Sequence, residues 1–465
     1  MGEAVETRRG GGAGAAFRIV MAGGLLATLA ANVPGQMSLD SVVALTEART
    51  GVRQTWAPAV SSWILKLFDS LVAGTGLYVT ASAALLFFSL MSLTRLRPRA
   101  TWLAVGLGVL ALLTPQVLIY QGIVWRDVLF ANLTLAGFIL IAHVARGWGP
   151  RPPILARVGT LVGALVCLAL AALVRQNGLV LVVAAAGALA WTVRQGGWRA
   201  SLAWGLGGLA AVGLLALGIN QIAQPPQGGP TPRPASLILE HYDVVGAKAH
   251  HPRLRLKEIA KVDPAAAALI EAQARQHYSA ARVDTLDLDP VYRRALWHVP
   301  DAAMHAQWRR IVVHYPAAYL LQRADVFRWT FLTPDLAQCL PVQVGVAGPE
   351  AMLKALNLQA GIDIQDQGLA DYARRFYGTP VYSHLTWAIV AVAVIVLLLR
   401  RGDPVDGVFV ALLAGTLAFT ASFFVISVAC DYRYLYLLDL AAMAGALYAA
   451  LDPPRWRKVS AVCED

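Results

Sequence analysis

Four short polar clusters hold the residues best suited to chemistry: Ser38-Leu39-Asp40-Ser41, Trp125-Arg126-Asp127, Arg175-Gln176-Asn177-Gly178 and Asp431-Tyr432-Arg433-Tyr434. Asp40 is a carboxylate that could accept a proton from a hydroxyl held within hydrogen-bond reach. Its plainer reading is an N-cap for the helix that follows, a position Asp favours. Asp127 could act as a second carboxylate that orients an acceptor or a metal ion; the plainer reading pairs it with Arg126 to cap a span. Arg126, Arg175 and Arg433 supply positive charge, and the planar guanidinium fork matches a phosphate. Snorkelling at a membrane interface is the plainer role for such arginines. Asn177, Tyr432 and Tyr434 complete the candidate substrate-binding set, although tyrosines also suit an interface belt.

These clusters interrupt a chain built of apolar spans. Of its 465 residues, 57% are hydrophobic and 14% charged, and its mean hydropathy is +0.56. Soluble domains carry about 25% charged residues, so the composition specifies an all-α polytopic membrane protein. Ten stretches have the length a bilayer requires: 15–33, 71–93, 102–120, 128–144, 156–174, 179–193, 202–221, 384–400, 407–428 and 435–451. With the N-terminus placed in the cytoplasm, 16 of the 39 Lys+Arg fall in inside segments and only six in short outside loops. Basic residues mark the cytoplasmic side. All four clusters then face outward, and a shared side suggests one site made from several helix ends. Charged groups at span ends are costly to desolvate and are functional suspects.

The remaining 17 basic residues lie in residues 222–383 beside 15 acidic ones. The net charge of +11 therefore reflects mainly cytoplasmic anchors, and no nucleic-acid partner is needed to account for it. The chain divides into a transmembrane module over 1–221, an outer domain over 222–383 and a second transmembrane module over 384–465. The Pro/Gly-rich stretch Gln224 to Pro234 reads as a linker. Beyond it, helices are expected from Lys257 to Tyr278 with Asp263-Pro264 as the start, from Ala302 to Leu332 with a restart at Pro316, and from Glu350 to Leu358. This mainly helical domain is expected to pack on the first outer loop as a lid. Glu240-His241-Tyr242-Asp243 and His250-His251 lack zinc-motif spacing and read as structural groups or substrate contacts. Of the four cysteines, Cys339 and Cys430 share the outer side and could pair if it is oxidising. Unpaired buried thiols are the plainer reading.

With Asp40 following Pro34-Gly35, Trp56-Ala57-Pro58 before the second span, and the three arginine clusters, the chain resembles the bacterial polytopic glycosyltransferases of the GT-C class, the RgtA/B/C/D-like and related lipid-linked-sugar families. The resemblance implies a GT-C-like fold in the bacterial inner membrane with an active site facing the periplasm. It implies Asp40 as catalytic base, a polyprenyl-phosphate-linked sugar donor, transfer with inversion, and a cell-envelope glycan or lipid as acceptor. Two positions depart from that pattern: Ala57-Pro58 stands where His-Pro is frequent, and Arg126 where Lys is frequent. No cofactor is specified by these residues, and a divalent cation is compatible with them. A transporter or flippase of lipid-linked glycans is the alternative from another class, and an O-antigen polymerase or ligase shares the outer loop and arginines. Transporters tend to carry ionisable groups near the bilayer midplane, whereas these lie at helix ends.

Overall fold

The computed structural model describes residues 2–55, 58–147, 153–224 and 234–453. Trp56 and Ala57, most of the linker, Arg151, Cys463 and the basic C-terminal residues Arg455, Arg457 and Lys458 lie outside them. The N-terminal module comprises α1 (Gly2–Asn32), α2 (Leu39–Thr50), α3 (Ala59–Leu71), α4 (Gly76–Ser92), α5 (Trp102–Leu112), α6 (Pro115–Leu118), α7 (Arg126–Arg146), α8 (Ile154–Val174), α9 (Leu179–Thr192) and α10 (Trp198–Ala223). Next come α11 (Ala235–His250), α12 (Lys257–Ala260), α13 (Pro264–His277), α14 (Pro290–His298), α15 (Asp301–His314), α16 (Pro316–Leu332), α17 (Glu350–Leu356) and α18 (Ile364–Arg374). The chain ends on α19 (His384–Arg401), α20 (Asp406–Ile426) and α21 (Tyr436–Leu451). Isolated bridges are the only β pairing among the described residues.

Among the described residues, eight helices are long and apolar enough to cross a membrane, or nine if a bent pair counts as one span. This corrects the expected ten at two places. The 102–120 stretch breaks by 70° between Leu112 and Pro115. Proline lacks the N–H that would continue the ladder, and the helix restarts with Thr114 at the N-cap and Pro115 in its first turn. The 179–193 stretch forms only the 14 residues of α9. At about 1.5 Å per residue that is roughly 21 Å, short of a hydrocarbon core of about 30 Å. The most apolar windows of the Arg126–Arg146 and Tyr432–Leu451 spans are 83% and 89% buried, against 6% for Trp198–Ala223. Those two spans therefore form the centre of the bundle, and α10 presents most of its apolar surface outward, as a lipid-facing helix does.

Alternate helix ends gather into two opposed polar layers. At one, Arg97 Nη1 lies 3.0 Å from Asp403, and its Nε lies 3.5 Å from Asp452. Arg401 holds Asp406 through Nε at 2.8 Å and Nη2 at 2.5 Å. The other layer carries the four clusters. Helices α11–α16 stand beside it with a core of their own, including Tyr242, Val245, Leu256, Ile270, Leu296, Met304 and Ile311. Asp263 accepts from Ala266 N at 2.8 Å to start α13, and Pro316 begins α16, both as the sequence suggests.

Candidate functional site

A short backbone pairing assembles the site. The turn at Pro34-Gly35 delivers Gln36 to the loop that precedes α7. Gln36 N donates to Gly122 O at 2.8 Å, and Val124 N donates to Gln36 O at 2.9 Å. Gly35 adopts φ +120°, and a Cβ there would meet Val79 Cγ2 at 2.8 Å and Val124 Cγ2 at 3.2 Å. Only glycine tolerates both the backbone conformation and the close approach. Ser41 Oγ then donates to Val124 O at 2.7 Å, and Trp125 Nε1 donates to Ser38 Oγ at 2.9 Å. The first turn of α2 is thereby fastened beside Trp125-Arg126-Asp127. On its other side, Met37 N donates to Gly345 O at 2.9 Å and Ala347 N to Met37 O at 2.9 Å. Arg49 Nη1 bonds Leu356 O at 2.9 Å. The segment following α16 thus packs on the first loop rather than projecting away from it.

Asp40 is not the N-cap. That place is Ser38, and Asp40 lies in the first turn of α2, where the positive end of the helix favours a carboxylate. Arg433 Nη2 donates to Asp40 Oδ2 at 2.5 Å. The same guanidinium lies 2.8 Å from Asp431 Oδ2 and 3.9 Å from Asp127 Oδ2 through Nε, with its carbon 4.7 Å from the centre of the Trp125 ring. Arg175 forms an ion pair with Asp127 Oδ1 and lies within cation–π distance of Phe419, Phe423 and Tyr434. One cluster therefore unites Asp40, Asp127, Asp431, Arg175 and Arg433, with Arg126 near enough for its charge to act on Asp40.

The carboxylates differ in environment. Asp127 and Asp431 have side chains only 4% and 7% exposed, whereas Asp40 retains 60%. Surrounding protein would raise the Asp40 carboxyl, but the charge and hydrogen bond of Arg433, with Arg126 behind, hold it below its ordinary value. Such a group is open to solvent yet kept ionised. Burial pushes Asp431 up to about 6 despite Arg433, helped by the charges of Asp127 and Asp40.

Tyr432 and Asn177 turn away from this centre, whereas the Tyr434 ring borders it beside Arg175. Tyr432 is fully buried; its hydroxyl donates to Asp439 Oδ2 at 2.7 Å, and its ring stacks on His384 at 4.1 Å. Asp439 Oδ1 meets His384 Nδ1 at 2.9 Å. The hydroxyl proposed to touch substrate is thus spent inside the bundle, where it fixes the turn that carries Arg433. Asn177 Nδ2 points to Ser422 Oγ at 3.5 Å, and the Tyr434 ring stacks on Phe423. Arg49, superficially a plain surface charge, grips Asp69 through Nε at 2.9 Å and Nη2 at 2.8 Å. Asp439 and His384 escaped notice in the sequence. Their signals were an acid inside an apolar span and a histidine at the start of another.

Cys339 and Cys430 form a disulfide, which corrects the reading of unpaired thiols. Cys430 immediately precedes Asp431, so the bridge fastens the segment after α16 to the arginine turn. Among the described residues, no group of three or more His, Cys, Asp or Glu side chains is arranged to hold a metal ion; the carboxylates of the site face arginines instead. Glu240 and Asp243 have structural partners in His305 and Arg323. A cavity of about 960 Å³ lies between Gln54-Thr55 and α14, with Arg293, Trp297 and His298 on its wall and no residue of the cluster among its lining.

No family model and no curated protein matches the chain. Solved structures that are similar include apo ArnT from Cupriavidus metallidurans, with 16% identity over 93% of this chain and 77% of that one, at a TM-score of 0.34. The same protein bound to undecaprenyl phosphate gives 13% identity, the same coverage and a TM-score of 0.33. The oligosaccharyltransferase of Archaeoglobus fulgidus, in complex with Zn and sulfate, gives 12% identity and a TM-score of 0.42, covering 93% of this chain and 48% of that one. This chain thus spans about half the length of the oligosaccharyltransferase. At such scores the likeness carries no argument about what this chain does.

Proposed function

We propose that the chain is an integral membrane glycosyltransferase of the inner membrane, with its site on the periplasmic side. It moves a sugar from a polyprenyl-phosphate-linked donor to a cell-envelope glycan or lipid. The observation that carries this reading is an ionised, accessible carboxylate, Asp40, joined to Arg433 at the ends of apolar helices. Transfer from a lipid phosphate needs a base opposite a cation. Asp40 takes the proton of an acceptor hydroxyl, whose oxygen attacks the anomeric carbon. The bond from that carbon to the phosphate oxygen breaks, and the phosphate leaves as an anion toward Arg433. One carboxylate suffices, because inversion needs no covalent sugar intermediate.

Arg175 has its charge committed to Asp127 and its faces to aromatic rings, so it supports the site from behind and phosphate contact falls to Arg433, with Arg126 beside it. The ionisable groups at helix ends favour transfer over transport. The test is a transfer assay with purified protein in nanodiscs, polyprenyl-phosphate sugars and envelope acceptors, with Asp40→Asn alongside. Transfer by the wild type with loss in the variant supports the reading. Transfer by Asp40→Asn at the wild-type rate overturns it.

A further inference from the structure

Arg433 faces three carboxylates at rest, and this bears on how the proposed transferase site can work. Asp431 and Asp127 are buried and held in place. Asp431 Oδ1 accepts from the backbone N–H of Arg433 at 3.3 Å, and Asp127 is paired with Arg175. Asp40 alone is solvent-open, and it meets Arg433 from the first turn of α2. A ligand anion that approaches Arg433 from the solvent-open side therefore meets Asp40 as its competitor. Arg175 and Arg433 both meet carboxylates at rest, so neither is a bare cation waiting for a phosphate.

Resting on the transferase reading, we propose that the phosphate of the incoming ligand takes Arg433 Nη2 from Asp40, and that this exchange releases the Asp40 carboxylate to act as base. An oxygen engaged by a guanidinium is a poor proton acceptor, because the cation stabilises its charged form. The pairing holds Asp40 in place and masks it. Once the phosphate has neutralised Arg433, Asp40 loses its stabilising partner and its basicity rises at the moment a leaving group is in position. Buried Asp431 and Asp127 keep Arg433 oriented throughout. No group outside the site is needed; the ligand supplies the anion.

The test measures binding rather than turnover. Full-length protein in nanodiscs is titrated with a short-chain polyprenyl phosphate lacking sugar and, separately, with inorganic phosphate. If Asp40 competes for Arg433, Asp40→Asn binds the phosphate about two- to fivefold tighter than the wild type, the range expected for releasing an exposed ion pair. The gain vanishes when Asp40→Asn is combined with Arg433→Gln. Should Arg433→Gln fail to fold, Arg433→Lys takes its place and the gain must shrink. Tightening with the prenyl phosphate alone assigns the anion to a lipid headgroup; tightening with both probes assigns it to phosphate in general. Unchanged or weaker binding by Asp40→Asn overturns the exchange. So does an equal gain in the Arg433→Gln background, which would reflect only the removal of a negative charge. A wild type that binds prenyl phosphate but transfers no sugar would sink the transferase reading, while the binding ratios would still decide the exchange.

Discussion

Arg433 Nη2 donates to Asp40 Oδ2 at 2.5 Å across 393 residues of sequence. The contact joins the first turn of α2 to the turn preceding α21, and it separates two carboxylates that the sequence treats alike. Asp40 is open, whereas Asp127 is buried against Arg175. Asp40→Asn should lower transfer about 10²- to 10⁴-fold, the usual worth of a general base, with little change in thermal unfolding. Asp127→Asn should instead cost about 3–5 kcal/mol of stability, because it leaves a buried arginine uncompensated. Rates and melting curves measured on both variants check this. A stable Asp127→Asn variant with the larger loss of rate would transfer the base role to Asp127.

Charge alone does not make Arg433 useful. Its guanidinium reaches Asp40, Asp431 and the Trp125 face together, and a lysine ammonium cannot reproduce that planar arrangement. Arg433→Lys should raise the donor concentration needed for half-maximal rate at least severalfold. Arg175→Lys should act mainly on stability, through the lost contacts with Asp127 and the surrounding rings. Arg49 does not serve as a control, because it clips α2 to Asp69 and Leu356. Exposed Arg253 does, and its lysine variant should match the wild type. Initial rates against donor concentration distinguish these outcomes. Equal small effects at Arg433 and Arg253 would remove the phosphate site.

Much of this arrangement was legible in residue types. The concentration of arginines at helix ends on one side pointed to a single site, and Pro34-Gly35 marked the turn that delivers Asp40. The alternation of spans and loops gave the all-α architecture. What escaped was decided by partners distant in the chain. Nothing local distinguishes Arg175, packed among Phe419, Phe423 and Tyr434, from an arginine that snorkels. Tyr432 turns inward because Asp439 and His384 await it on other helices. The 102–120 span broke where Pro115 ends one ladder and starts another. Ser38 took the cap expected of Asp40 because α2 begins two residues earlier, at Leu39 rather than Ser41.

Acid should affect donor binding before it affects the base. Arg433 and Arg126 hold Asp40 below its ordinary value of 3.8, so it remains ionised between pH 5 and 8. Burial raises Asp431 to about 6, with Arg433 opposing and Asp127 and Asp40 reinforcing the shift. The folded state therefore binds this proton more tightly than the unfolded chain. The stability contributed by Asp431 is fully present below its unfolded value near 3.8 and is lost as pH rises through about 6. Protonation also frees part of the Arg433 charge for a phosphate. The Michaelis constant for donor should fall as pH drops from 7 to 5, and Asp431→Asn should abolish that dependence. Profiles of KM and kcat against pH test both statements. A loss of kcat centred near pH 6 that persists in Asp431→Asn would mean that Asp40 is not held low.

The turn that carries Arg433 is held from outside the bundle. Arg323, wholly buried and paired with Asp243 at 2.7 Å, donates to Val425 O at 2.7 Å and Ser427 O at 2.8 Å. Thr330 Oγ1 lies 2.8 Å from Ser427 Oγ. Cys430 N donates to Ala281 O at 2.7 Å, and Cys430 Sγ is bonded to Cys339. Four attachments, through Arg323, Thr330, Ala281 and Cys339, thus fix the residues just before Asp431. The disulfide closes a separation of 91 residues, and on a chain-entropy argument a loop that long contributes roughly 4–5 kcal/mol. Breaking the bond in Cys339→Ser should lower the unfolding temperature of the α11–α16 core and reduce transfer severalfold. Arg323 would still hold Val425 and Ser427, so activity should not vanish. Arg323→Leu, which strands Asp243 in the interior, should cost about 3–5 kcal/mol and reduce transfer further, since the arginine turn then loses the grip on Val425 and Ser427. Replacing both Arg323 and Asp243 by apolar residues of similar volume should restore much of the stability without restoring the rate. That separation is the decisive outcome, because it divides packing of the core from positioning of the turn. If the double variant regains full transfer, the grip on Val425 and Ser427 has no part in setting Arg433.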